Sequence, residues 1–209
     1  MKRLAIIGAS GHGKVVAEIA QINGWDEIVF YDDNPQKKTV NTWKVKGNID
    51  GFISKSQKFN GFFVAIGDNT LRMEITKYII SKGVSSLVSL KHPSAILSNY
   101  TTIGLGTIVM PGVVVNSMSK IGNGVILNTS SIIEHDNIIQ DFVHVSPGVS
   151  LAGGVQIGML SWVGIGSSVK QNIVIGANVT IGVGSVVVEN IDKNVTVFGV
   201  PAKPFGKQC

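Results

Sequence analysis

The sequence predicts two domains of different class: a Rossmann-like α/β domain over residues 1–92, then an all-β parallel β-helix over residues 93–209 with a C-terminal tail. Two observations carry this. Residues 1 to about 90 alternate short β-rich runs with helical stretches, the pattern of a parallel sheet covered by helices. From Leu97 the grammar changes to an aliphatic residue at every sixth position, running Leu97, Ile103, Val109, Val115, Ile121, Leu127 and on without slip to Val187. With roughly 45% apolar residues in ordinary proteins, sixteen such positions in a row do not arise by chance.

In the first half, Leu4 to Ile7 reads as a strand, Gly8-Ala9-Ser10-Gly11-His12-Gly13 as a turn and Lys14 to Gln21 as a helix. Glu27 to Tyr31 reads as a second strand ending at Asp32-Asp33. A further strand over Phe62 to Ile66, a turn at Gly67-Asp68-Asn69, a helix over Thr70 to Ser81 and a strand over Ser86 to Leu90 lead to His92-Pro93, where the domain is expected to end.

In the second half a hexad at strand rise is roughly 20 Å long, so three faces make an 18-residue triangular coil with the aliphatics stacked inside. About five coils are expected. Glycine often follows the aliphatic, as at Gly104, Gly122, Gly158 and Gly164, where a tight corner is expected to need unusual φ/ψ. Two positions before it the residues are small or β-branched, among them Thr107, Ser119, Ser131 and Ser161.

Composition narrows the function. The net charge of +5 and pI near 9.3 suit an anionic ligand, but Lys and Arg are scattered and aromatic residues are only 7%, so the patches and stacking platforms of a nucleic-acid binder are absent. Cys209 is the single cysteine, which excludes an intramolecular disulfide and a cysteine-rich metal site and fits a reducing, cytoplasmic setting. No signal peptide or membrane span is expected, because the glycines from Gly8 interrupt the only early apolar run.

The hexad array with the tail Val197-Phe198-Gly199-Val200-Pro201-Ala202-Lys203-Pro204 resembles the hexapeptide-repeat acyltransferases. The Gly8-to-Gly13 opening, Asp32-Asp33, Ala65-Ile66-Gly67-Asp68-Asn69 and Ile133-Glu134-His135-Asp136 narrow the match to the sialic-acid O-acetyltransferase-like subgroup. Val125-Ile126-Leu127-Asn128-Thr129-Ser130-Ser131 leading into Glu134-His135 looks like the UDP-4-amino-sugar N-acetyltransferases of the bacillosamine pathway; Ala65 to Arg72 is also similar to perosamine N-acetyltransferases. The resemblance implies a left-handed coil, a homotrimer with active sites between subunits, and acetyl-CoA as co-substrate without a metal. It implies transfer to the amino group of a nucleotide-linked 4-amino-6-deoxy sugar, UDP-linked in the first instance. O-acetylation of a sialic-acid-type sugar, a γ-carbonic-anhydrase-like metal site and a non-catalytic binding protein are the competing readings.

An amine attacking a thioester needs a base for its proton and a donor for the oxyanion. His135 has the best claim to be that base. It lies two positions after the inward Ile133, near a corner where its side chain can face outward, with Asp136 beside it. The resemblance gives Asp136 the supporting role, in a place where relatives often carry Glu. His144, nine residues on, lies half a coil away, and the resemblance puts it, with Ile165, Val183 and Gly184, against acetyl-CoA. Gly153 is the candidate for the backbone N–H that meets the oxyanion, and Asn128 for a hydrogen bond to the sugar or to the base. Gly11, His12 and Gly13 are assigned by resemblance to the nucleotide sugar, Asp32 and Asp33 to its nucleoside, and Gly67 to a close backbone approach; the strand–turn–helix setting favours phosphate.

Overall fold

The computed structural model describes residues 1–205, and Cys209 lies outside them. The chain falls into two compact units, Met1–Lys91 and from His92 onward.

The first unit has a three-stranded parallel sheet in the order β2-β1-β5, with β1 at Arg3–Ile7, β2 at Glu27–Tyr31 and β5 at Gly61–Val64. Helix α1 (Gly11–Ile22) links β1 to β2, and α3 (Asn69–Ser81) follows β5. Helix α1 begins three residues before the expected Lys14, with Ser10 at the N-cap position in extended backbone but without a side-chain capping bond. Gly13 in the first turn permits this, since a Cβ there would lie 2.5 Å from Gly8 O. Between β2 and β5 the chain adds a hairpin of β3 (Thr39–Val40) and β4 (Trp43–Lys44), then α2 (Ile49–Ile53). Sequence periodicity gave no signal for these short elements. The expected strand over Ser86 to Leu90 reduces to one bridge, Phe62 to Leu87, with β6 at Leu90–Lys91. Ala5, Ile7, Phe52, Phe62, Val64 and Ile79 close the core, and tilted or edge-on contacts join Tyr31, Phe52, Phe59 and Phe62.

The second unit is a left-handed parallel β-helix of roughly six turns. Three sheets of two-residue rungs run along it; the first stacks Ile96–Leu97, Val114–Val115, Ile132–Ile133, Ser150–Leu151, Ser168–Val169 and Val186–Val187. The extra turn beyond the expected five escaped the hexad reading for a physical reason. Ile175 bridges Ile191 and Ile181 pairs with Val197, a spacing two residues shorter than in the coils below, so the repeat loses its phase while the coil continues.

The corner glycines have a different purpose from the one expected. The left-handed backbone falls three residues after each aliphatic from Ile103 to Ile181, at Met118, Ser130, Asp136, Phe142, Leu160 and Asn172 as well as at glycines. The glycines directly after the aliphatics are needed because successive coils approach there: a Cβ on Gly104 would sit 2.6 Å from the carbonyl carbon of Gly122. The small hydroxyl residues act as clips between coils. Thr107 Oγ1 donates to Gly122 O (2.8 Å) and accepts from Val125 N (3.0 Å); Ser161 does the same with Gly176 O (2.8 Å) and Val179 N (3.0 Å).

Candidate functional site

In the first unit a cavity of about 320 Å³ opens at the C-terminal ends of the three sheet strands, lined by Gly8, Ser10, Asp32, Asp33, Lys37 and Gly67 with Ile49, Ile66, Leu71 and Ile75. Gly11 and Gly67 face open space, whereas Gly13 is packed under Gly8 and Phe30 and does not line the cavity. Asp32 is not a solvated turn residue. One oxygen accepts from Ala9 N–H (2.6 Å) and Lys37 Nζ (3.1 Å), the other from Asn34 N–H (2.9 Å). Burial works to raise its pKa, but these donors outweigh burial and hold the carboxyl below its usual range. Asp32 therefore braces the glycine turn that forms the cavity floor. Asp33 accepts from Ile49 N–H at 2.9 Å and so ties α2 to the same rim.

His12 lies close enough to the buried Arg72 to feel its charge. His12 as a residue is only half-buried, yet its Nε2 is shut off from solvent with no partner among the described residues. Burial first, then the charge of Arg72, push its pKa down to about 4, so the ring is neutral at pH 7. Arg72 is 1% exposed and donates to Ile66 O (2.9 Å), Gly67 O (3.0 Å) and Asn69 Oδ1 (2.8 Å). Burial lowers it to about 10, against a smaller opposing effect of Asp68. It holds the turn on which Gly67 meets the cavity. Sequence reading missed Arg72 as a functional support, although it closes the Ala65-to-Arg72 stretch, because an arginine on a helix is usually solvated.

In the β-helix the candidates divide between two edges. On the first, His135 Nδ1 lies 2.7 Å from Asp136 Oδ2, and both side chains are exposed. The corner itself creates the pair: Asp136 takes the left-handed position (φ 59°), which aspartate tolerates, and its carboxylate turns back to the preceding residue. Aspartate thus reaches the ring although it is one methylene shorter than glutamate. Gly153, one coil on, is directly against this ring; a Cβ there would be 2.6 Å from both Cε1 and Nε2. Its own N–H donates to no acceptor among the described residues. Glu134 points elsewhere and accepts from Asn116 Nδ2 at 2.9 Å.

On the other edge His144 is 9% exposed, stacked on Trp162 with centroids 5.3 Å apart and planes 8° apart. Asn128 Nδ2 lies 3.1 Å from His144 Nε2, so within one chain the histidine it meets is His144. The reason is register: Asn128 closes the rung of Ile126–Leu127, which pairs with His144–Val145. Trp162, whose Nε1 donates to Ser146 Oγ (2.7 Å), walls an apolar cavity of about 190 Å³ together with Ile165, Thr180, Gly182 and Val183. Ile165 and Val183 project into solvent, 57% and 73% exposed, and Gly184 follows in left-handed backbone (φ 65°). Three of the expected acyl-donor residues, Ile165, Val183 and Gly184, thus share one corner, beside the His144–Trp162 stack. Trp162 was missed, although a bulky aromatic at an outward hexad position was its signal. Among the described residues no group of three or more His, Cys, Asp and Glu side chains could hold a metal, and no helix is long and apolar enough to cross a membrane.

Known proteins match this architecture. Residues 3–79 fit the family model described as the PglD N-terminal domain. GDP-perosamine N-acetyltransferase of Escherichia coli O157:H7 is 31% identical over 177 residues, covering 82% of this chain and 79% of that protein. UDP-N-acetylbacillosamine N-acetyltransferase of Bacillus subtilis (strain 168) is 34% identical over 113 residues, 53% of this chain and 52% of its own. Among solved structures, a histidine-to-asparagine variant of perosamine N-acetyltransferase from Caulobacter crescentus, in complex with CoA and GDP-perosamine, superposes with a TM-score of 0.94 at 36% identity, covering 99% of this chain and 98% of that one. The acetyltransferase domain of PglB from Neisseria gonorrhoeae FA1090 in complex with acetyl coenzyme A gives 0.93 at 40% identity, covering 98% and 99%.

Proposed function

The chain belongs to the hexapeptide-repeat sugar N-acetyltransferases that use acetyl-CoA and act on nucleotide-linked amino sugars, and from this premise we propose that it acetylates the 4-amino group of a UDP-linked 4-amino-6-deoxy sugar with His135 as general base. The observation that carries the base assignment is the 2.7 Å contact of His135 Nδ1 with Asp136 Oδ2. A proton held on Nδ1 by the carboxylate leaves the Nε2 lone pair free to accept one. The amine nitrogen attacks the thioester carbonyl carbon, the carbonyl oxygen becomes an oxyanion beside Gly153 N–H, and Nε2 takes a proton from the nitrogen. Collapse breaks the C–S bond; the proton passes to the departing sulfur, leaving an amide and the CoA thiol.

The cavity of the first unit is assigned the nucleotide sugar, with Lys37 at its rim to meet phosphate. The Trp162 corner is assigned the acyl donor. Because the His135 and His144 edges differ within one chain, the reading includes a homotrimer whose neighbouring copy supplies the second edge. A GDP-linked substrate is the second reading, supported by the match to GDP-perosamine N-acetyltransferase over 82% of this chain. Thiol release from acetyl-CoA with a panel of UDP- and GDP-linked 4-amino-6-deoxy sugars, with sialic acid as hydroxyl control, tests all of this. Turnover of a UDP-linked amine is expected. Turnover of GDP-linked sugars alone would replace the nucleotide, and activity on sialic acid alone would replace N- by O-acetylation.

A further inference from the structure

Resting on the reading of His135 as the base, we propose that Asn137 is a positioning residue, whose buried carboxamide fixes the turn that presents the imidazole. Asn137 stands in the column otherwise filled by small or β-branched residues, and it is the only amide there. It is 0% exposed.

Its rung-mate one coil earlier, Ser119, shows what the position normally does: the hydroxyl donates to one carbonyl of the next coil, Glu134 O, at 2.7 Å. Asn137 keeps that link through Nδ2 to Ala152 O (3.1 Å) and adds two that a hydroxyl, with its single proton, cannot make beside the clip, to Glu134 O (2.6 Å) and His135 O (3.3 Å); Ser185, which donates to the carbonyl three residues back (Gly182 O, 2.8 Å), makes that bond in place of a clip. The amide orientation is forced, because a flip would set Oδ1 against three carbonyl oxygens. Oδ1 is buried with no partner among the described residues. A serine would give the inter-coil clip without burying an orphaned acceptor, so stability alone does not account for the amide. What the amide adds is the hold on the backbone of Glu134 and His135. From that backbone the ring must lie between Asp136 and Gly153, and an imidazole that drifts from this placement loses its base geometry.

Asn137→Ser retains the clip and removes the hold. In the full chain, with acetyl-CoA and an amino sugar that wild type turns over, kcat is expected to fall about tenfold or more while KM for each substrate stays within about twofold. The second readout is the imidazole 15N shifts of protein labelled at its four histidines, with His135 assigned through His135→Ala. At alkaline pH wild type should show a single tautomer with the proton on Nδ1, and Asn137→Ser a mixture. An unchanged tautomer overturns the proposal, whether kcat is unchanged or falls through a general loss of structure. Full activity in His135→Ala would sink the base reading instead, and the tautomer comparison would still decide whether Asn137 fixes the turn.

Discussion

The two units hold their functional residues by opposite means. In the first, each residue is held by a partner of its own: Asp32 reaches back to Ala9, 23 residues earlier, and Arg72 folds onto Ile66 and Gly67 in the turn before its helix. Nothing elsewhere in the unit repeats these pairs. In the β-helix below its shortened last turn, residues have counterparts 18 residues away on nearly the same backbone, so His135 can be compared directly with Ser117, Gly153 and Gln171. Function there is a departure from a repeating pattern, and in the α/β unit it is an arrangement without a pattern. A repetitive scaffold keeps its fold whatever these outward side chains are, so substitutions should separate chemistry from stability; the irregular unit should couple them.

The largest effect should come from Arg72→Ala. It leaves the acceptors of the Gly67 turn unpaired and opens a cavity, which should cost about 3–5 kcal/mol. Segment-resolved hydrogen exchange should show residues 1–91 losing protection while the rungs of the β-helix keep theirs. Equal losses in both would break the comparison.

Acid should act on the same unit through His12. Its folded pKa of about 4 lies below the ordinary 6.5, so its contribution to stability is full above pH 6.5 and disappears as pH falls toward 4. Denaturant titrations across that window should show a loss of up to about 3 kcal/mol, and His12→Gln should flatten the slope.

In the β-helix the effects should be on rate and affinity. Gly153→Ala places a methyl group where the His135 ring lies; the exposed ring can swing aside, so the melting temperature should move little while kcat falls roughly tenfold to a hundredfold. Trp162→Ala removes a wall of the apolar cavity and should raise the KM for acetyl-CoA about tenfold, leaving that of the sugar unchanged. Activity-neutral substitutions at both positions would reduce the two edges to scaffold.

What could be read in advance follows the same division. The coil geometry and the His135–Asp136 pair were legible because sixteen aliphatics fix which residues face out. The final turn was not, since its shortened spacing removes the phase. The glycine column was seen but given the wrong cause: inter-coil distance, not backbone φ, is what demands it. The contact of Asn128 with His144 was not legible because a sequence interval gives the face but not which rungs pair. In the α/β unit the glycine turn after β1 was legible, although its last three residues belong to the helix, and so was the place of Asp32 at the end of β2; the hairpin, α2 and the supports Arg72 and Lys37 rest on individual contacts that no periodicity encodes.

The most direct test compares His135→Ala with wild type on one accepted nucleotide amino sugar, following kcat by thiol release and the binding of acetyl-CoA and sugar by calorimetry. In His135→Ala kcat should fall by roughly 10²–10⁴-fold with both affinities retained. A variant that keeps its kcat, or that loses turnover only because it no longer binds a substrate, would contradict His135 as the base.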